Sequence, residues 1–302
     1  KETVCVWLDR PGLGKRTIYN KTAAKHTMQA AKHLGYEVYE IYCDAEHLRS
    51  PVGFPVDLSS GIAAIAMSSL TNGDSIAYGM IIESAYRTGH TKYRDYPHSA
   101  HYNTWERCFS SAGIPLFLPV GGVSEVGTSN IVLNSDFNGD ARSCIRGDWP
   151  DNCDNCWKCF RKTLVDYRIL GKSLTNDEMK KWIQVREVKY KISSWPISHE
   201  NVLAWALKNP ILDTPISTKL LKRLEGSQRD LELLSKWYPP SIDLIPEHYR
   251  AEFLLNIRSL LENMTEEEIE NTQSLDLQSW LSSNKAQKAR DSFQELMDSL
   301  EN

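Results

Sequence analysis

The chain has 302 residues, 41% hydrophobic and 25% charged, with a formal charge of −4. That length gives room for roughly two domains of about 150 residues each. The balance excludes a disordered chain, a collagen-like repeat and a disulfide-dense miniprotein, and the net acidity argues against a nucleic-acid partner. The longest apolar stretch, Gly61 to Met67, falls far short of the roughly 20 residues of a membrane span. No charged-then-apolar start reads as a signal peptide, so a cytoplasmic protein with no membrane partner is expected. The first residue is Lys1 and strand-like residues begin at Thr3, so the natural start is expected further upstream.

Through residue 170 strand and helix signals alternate. Thr3 to Leu8 is a continuous apolar run, the pattern of a strand covered on both faces. Arg10 to Arg16 is a Gly/Pro turn. Thr22 to Leu34 has helical periodicity and stops before Gly35, a good C-cap. Tyr36 to Cys43 reads as a strand, Ser59 to Leu70 as a helix of small apolar residues, and Ser75 to Ile82 as a third strand. Tyr102 to Ser111 reads as a helix and Pro115 to Val120 as a fourth strand. Such alternation predicts an α/β fold with a doubly wound parallel sheet, whose ligands bind beyond the carboxyl ends of the strands.

Seven cysteines divide into two groups. Cys5, Cys43 and Cys108 are scattered and read as small buried hydrophobes. Cys144, Cys153, Cys156 and Cys159 follow the pattern C-x8-C-x2-C-x2-C, whose two-residue gaps turn successive thiolates toward one ion. Four thiolates make a complete tetrahedral zinc site with a structural role. The rival readings are two disulfides or an iron–sulfur cluster. The disulfides are disfavoured, because nothing points to secretion and two-residue gaps strain a bridge.

A helix is expected from Trp157 to Leu170. After Thr175 strand signals nearly vanish, which places a domain boundary near 172 and an all-α domain over 172–302. Helices are expected near 176–188, 201–209, 215–237, 246–263, 266–270 and 286–301, with capping boxes at Thr175/Glu178 and Thr265/Glu268.

Several residues after strand ends are candidates for binding. Lys15 and Arg16 belong either to a basic surface turn or to a nucleotide phosphate contact. Asp44 is either a turn residue or a ribose contact. Glu83 and Ser84 follow the third strand. Tyr96, His98 and His101 form an aromatic and histidine loop after them, suited to stacking on a purine-like ring. The surrounding Tyr93, Tyr96, Tyr102 and Trp105 equally read as a local hydrophobic cap. Gly121-Gly122 allows close backbone approach to a ligand or makes a tight turn.

Read in order, Ala23 to Asp44, Gly79 to Glu83 with Tyr96-Pro97 and Trp105 to Phe109, Leu118-Pro119-Val120 with Ile131-Val132, and Ser143 through Cys159 to Arg161 resemble the QueC-type 7-cyano-7-deazaguanine synthases of the PP-loop ATP pyrophosphatase group. The resemblance covers about residues 1–171 and leaves out the helical tail. It implies an adenine nucleotide alpha-hydrolase-like fold, a zinc loop over 144–159, and ATP with Mg2+. It also implies contacts from Glu83, Ser84, Tyr96, His98 and His101 to a deazaguanine, and from Asp44, Lys15 and Arg16 to the nucleotide. The family's Ser-Gly-Gly-x-Asp-Ser phosphate loop is missing and is expected before Lys1. Asp57 to Ser60 replaces the family's Arg-Asn pair, and Tyr96-Pro97-His98-Ser99-Ala100 replaces its Tyr-Pro-Asp-Cys-Arg run. Thr128 stands near the family's lysine. In these departures the chain is similar to the divergent QueC-like proteins of bacterial antiphage islands. The resemblance then implies ATP-dependent activation of a deazaguanine carboxylate to an amide or nitrile, with delivery onto a partner protein held by the helical domain. The alternatives are a catalytically inactive nucleotide- or protein-binding scaffold and another PP-loop tRNA-modifying enzyme. No catalytic residue is assigned.

Overall fold

The computed structural model describes residues 3–10, 20–48, 50, 57–144 and 146–300. The expected first strand is β1 (Val4–Asp9). Asn20 caps α1 (Lys21–His33) by accepting the backbone N–H groups of Thr22 and Ala23. Gly35, at φ +87°, turns the chain into β2 (Glu37–Tyr42), which pairs with β1 in parallel. A short 3-10 turn over 57–61 leads into α2 (Ile62–Ser68). Then come β3 (Ile76–Ala77), α3 (Ile82–Ala85), α4 (Ala100–Ser111) and β4 (Leu116–Phe117), with β3 and β4 parallel.

The doubly wound parallel sheet of the adenine nucleotide alpha-hydrolase-like type does not form. Among the described residues there are only two separate two-stranded sheets, β1–β2 and β3–β4, and the rest of the regular structure is helical. The reason lies in the last two strand-like runs. Pro115 and Pro119 have no N–H to give a ladder, and Gly79 weakens a strand interior. The chain leaves strand geometry after two residues in each case. Residues 238–244 of the C-terminal half then supply the backbone partners: Leu118 N–H donates to the Leu244 carbonyl at 3.1 Å, and Tyr238 N–H donates to the Gly122 carbonyl at 2.9 Å. Gly122 is needed for that approach, because a Cβ there would lie 2.6 Å from the Ser241 Cβ. The close contact foreseen at this glycine pair is with the chain itself.

The helical remainder follows the sequence more closely. Ser124 caps α5 (Glu125–Leu133) and Cys156 caps α6 (Trp157–Ile169). The expected capping box of Thr175 and Glu178 opens α7 (Asn176–Gln184), and an extended Val185 separates it from α8 (Arg186–Ser193). Next are α9 (Glu200–Leu207) and α10 (Pro215–Lys222). The long helix expected over 215–237 stops at Lys222 and continues as short 3-10 turns. The last helices are α11 (Arg250–Leu260), α12 (Glu266–Gln273) with its expected capping box, α13 (Gln278–Leu281) and α14 (Asn284–Ser299).

Helix α9 is buried all round, as its unbroken apolar sequence requires. It packs on α6, and Phe160, Leu164 and Val165 join Val202, Leu203 and Leu207 in the largest apolar cluster. That cluster runs across residue 172 and takes in Phe293 and Met297 of α14. A second cluster holds Tyr86, Tyr96 and Tyr102 with Leu116, Leu118 and Tyr238. Among the scattered cysteines, Cys5 and Cys43 are half-buried and Cys108 is exposed, which corrects the expectation that all three are buried.

Candidate metal centre

Cys144, Cys153, Cys156 and Cys159 come together. Their sulfurs all lie within 4.8 Å of one another, and the Cys153 and Cys159 sulfurs are 3.7 Å apart. A tetrahedron of Zn–S bonds near 2.3 Å has sulfurs ~3.8 Å apart, so the cluster is compatible with zinc. The 3.7 Å gap is far beyond a disulfide bond of ~2.05 Å. One ion fits this spacing better than a multi-atom iron–sulfur cluster, which would push the four sulfurs further apart. Thiolates are soft ligands, and four of them suit zinc and not magnesium or calcium.

The local chain builds the cluster. Asp154, at φ +42°, bends the Cys153–Cys156 knuckle. Cys156 then caps α6, its sulfur accepting the Cys159 N–H at 3.4 Å, while the Cys153 N–H points to the Cys144 sulfur at 3.4 Å. Burial raises the Cys144 thiol, but N–H groups of Cys153, Arg146 and Gly147 outweigh it and lower its pKa on balance. Gly147 has no room for a side chain, since a Cβ would lie 2.4 Å from the Asp151 carbonyl oxygen. Helix α8 clamps the cluster from outside: the Glu187 carboxylate accepts from the Arg146 guanidinium at 2.5 Å and from the Trp157 N–H at 3.2 Å. Trp182 of α7 packs against the cysteines and against Phe160, with ring centroids 5.6 Å apart.

Of the other candidates, the structure brings Tyr96 and His101 together and places Glu83 and Ser84 on α3. Lys15 and Arg16 lie outside the described residues. Asp44 is exposed, and its carbonyl opens a 3-10 turn by accepting the His47 N–H at 2.8 Å. Ser84 is exposed, with its carbonyl 3.3 Å from the Arg94 guanidinium. His98 is exposed and pairs with Asp95 at 2.8 Å. Tyr96 is buried in the aromatic core, with its hydroxyl 3.2 Å from His101 Nδ1 and the Arg94 guanidinium 4.7 Å from its ring centre.

Glu83 is fully buried on α3. One carboxylate oxygen accepts the Glu125 N–H at 3.2 Å, and the other has no partner. Burial, with the nearby Glu125 charge, pushes its pKa up to about 8. Around it stands a buried ionisable group that the sequence reading did not collect. Arg161 of α6 bonds Glu125 at 2.7 Å and 2.9 Å. His199 sits in left-handed backbone geometry at φ +57°, its Nδ1 without a partner, and burial lowers its pKa to about 3. Gly89 lies between Glu83 and His199: a Cβ there would be 2.9 Å from the Glu83 Cβ and 3.0 Å from His199 Nδ1. Glu83 and Glu125 each follow a strand end, which was a usable signal; nothing local marks His199. A cavity of about 240 Å³ is lined by Ile82, Thr88 and Asn201 but by none of these four ionisable residues.

No helix among the described residues is long and apolar enough to cross a membrane. No curated protein and no solved structure matches the chain. One protein family does match, over residues 104–276, a span that holds the four cysteines, Glu125, Arg161 and His199. Since that match covers more than half of the chain, the chain belongs to the DUF6395 family, a family of unknown function.

Proposed function

We propose that the chain is a zinc-stapled binding scaffold, in which Cys144, Cys153, Cys156 and Cys159 hold one structural zinc ion. The supporting observation is the approach of four sulfurs to within 4.8 Å of one another at the start of α6. Four thiolates fill a tetrahedron and leave no open position, so the ion fastens the loop to the core and does not activate water. A reducing compartment such as the cytoplasm keeps the thiols available. Elemental analysis of the purified chain should find one zinc per chain. Cys156→Ser should lower both the zinc content and the melting temperature, because metal-binding free energy is folding free energy. A chain free of zinc, or a Cys156→Ser chain with undiminished zinc, overturns the reading.

A second reading takes its support from a 240 Å³ cavity whose lining includes Ile82, next to Glu83 in the chain, and Asn201, two residues from His199. On that reading the chain is the ATP-dependent enzyme its resemblance implies. ATP and Mg2+ would convert a deazaguanine carboxylate into an acyl-adenylate with release of pyrophosphate, on the way to an amide or nitrile. The helical half would receive a partner protein in antiphage defence. The reading predicts pyrophosphate release when the chain is mixed with ATP, Mg2+ and a carboxy-deazaguanine. The absence of any release sinks it.

A further inference from the structure

The cavity of about 240 Å³ gathers residues from both sides of residue 172. Ile82 of α3, Leu231, Leu233 and Leu234 of the turns after α10, and Met264 and Leu275 on either side of α12 give it apolar walls. Among the described residues none of its lining is aromatic, so it offers no stacking face to a flat ring; leucine, isoleucine and methionine side chains match an aliphatic chain instead. A cavity of ~150 Å³ holds benzene, so this one has room for roughly ten non-hydrogen atoms. Two polar groups in the wall lack partners. Thr88 is 6% exposed and its hydroxyl makes no hydrogen bond, and Asn201 Oδ1, in the first turn of α9, is likewise buried and unpartnered. Both residues also line a neighbouring cavity of about 20 Å³, so open space stands on each side of them. Buried polar groups are normally hydrogen-bonded, and these two are complementary: the amide oxygen accepts and the hydroxyl can donate. The charged lining residues are engaged by their own neighbours. Arg229 pairs with Glu225 at 2.8 Å, and the Asp230 carboxylate accepts the Glu232 N–H at 3.0 Å.

We propose that this cavity binds a neutral aliphatic amide of medium chain length. The chain lies along the leucine and methionine walls, the carboxamide N–H donates to Asn201 Oδ1, and the carboxamide oxygen accepts from the Thr88 hydroxyl. Apolar walls with a few convergent polar groups are the usual anatomy of a small-molecule site. The inference goes beyond both functional readings. None of the four cysteines lines the cavity, binding asks for neither ATP nor turnover, and the occupant differs in kind from a deazaguanine.

The probe is octanamide, titrated into the full chain by isothermal calorimetry, with its isomer N,N-dimethylhexanamide and the anion octanoate as controls. Saturable binding of octanamide is expected. Each control should bind roughly tenfold more weakly or worse, because the isomer has no N–H for Asn201 and the carboxylate must leave water unpaired. Thr88→Val should weaken octanamide roughly tenfold without lowering the melting temperature of the free chain, since the hydroxyl has no partner to lose. A threonine with a purely structural role would show the reverse. Ser274→Trp places a large ring at an exposed position of the cavity wall and should abolish binding; if that variant fails to fold, Thr88→Val decides the matter. Zinc content and pyrophosphate release are measured on the same preparation, so failure of either functional reading is told apart from failure of this one. No saturation at millimolar octanamide, equal binding of the isomer, or indifference to both substitutions overturns the proposal.

Discussion

At the residue scale, the buried ionisable group around Glu83 carries the sharpest consequences for stability. The Glu83 pKa is raised from 4.5 to about 8, so the folded state holds a proton that the unfolded chain releases. The stabilisation is complete below the unfolded pKa and is lost as pH rises through the folded one. His199 acts in the opposite sense, because its lowered pKa removes stability as pH falls below its ordinary 6.5. Between pH 6.5 and about 8 the Glu83 effect therefore stands clear of His199. Urea unfolding across that window should show stability falling relative to Glu83→Gln, by at most about 1.4 kcal/mol per pH unit. Parallel profiles for the two proteins would contradict this. The Arg161–Glu125 pair is largely buried, with the two side chains 6% and 11% exposed. Arg161→Met strands a buried carboxylate and should cost about 3–5 kcal/mol in the same assay.

At the scale of elements, helix ends were the most legible feature. Thr175 with Glu178 and Thr265 with Glu268 satisfy first-turn N–H groups through side chains only three residues away, so the motif is complete within its own sequence. Thr175→Ala should cost about 1 kcal/mol in chemical unfolding, and Thr265→Ala a similar amount. Thr214 with Ser217 makes a third box, missed because its N3 residue is Ser where Glu or Gln was sought. The four-cysteine cluster was legible for the same reason, since its ligands span 16 residues. Strands β3 and β4 were overread. Ile76, Leu116 and Leu118 are buried, but beyond the β3–β4 pair their cover comes from helices and from Tyr238 and Leu244, not from further strands.

At the scale of the whole molecule, the core ties distant segments together. Leu203 of α9 is fully buried in a cluster that reaches from Val126 to Met297. Leu203→Ala should cost about 2–5 kcal/mol. Because helices from both sides of residue 172 share that cluster, the loss should appear as one shifted transition, with fluorescence and circular dichroism coincident. A variant in which the two probes separate would show that the cluster does not couple the halves.

What the amino-acid sequence determined by itself was local: helix caps, the Gly35 turn and the cysteine spacing. These depend on interactions among near neighbours in the chain. The tertiary structure alone decided that α3, α5, α6 and the residue before α9 would bring Glu83, Glu125, Arg161 and His199 into one buried group. It also decided that residues 238–244 would take the place of sheet partners. Such contacts join residues 36 to 126 positions apart, and their geometry follows from how apolar faces pack, a global property that no local pattern encodes.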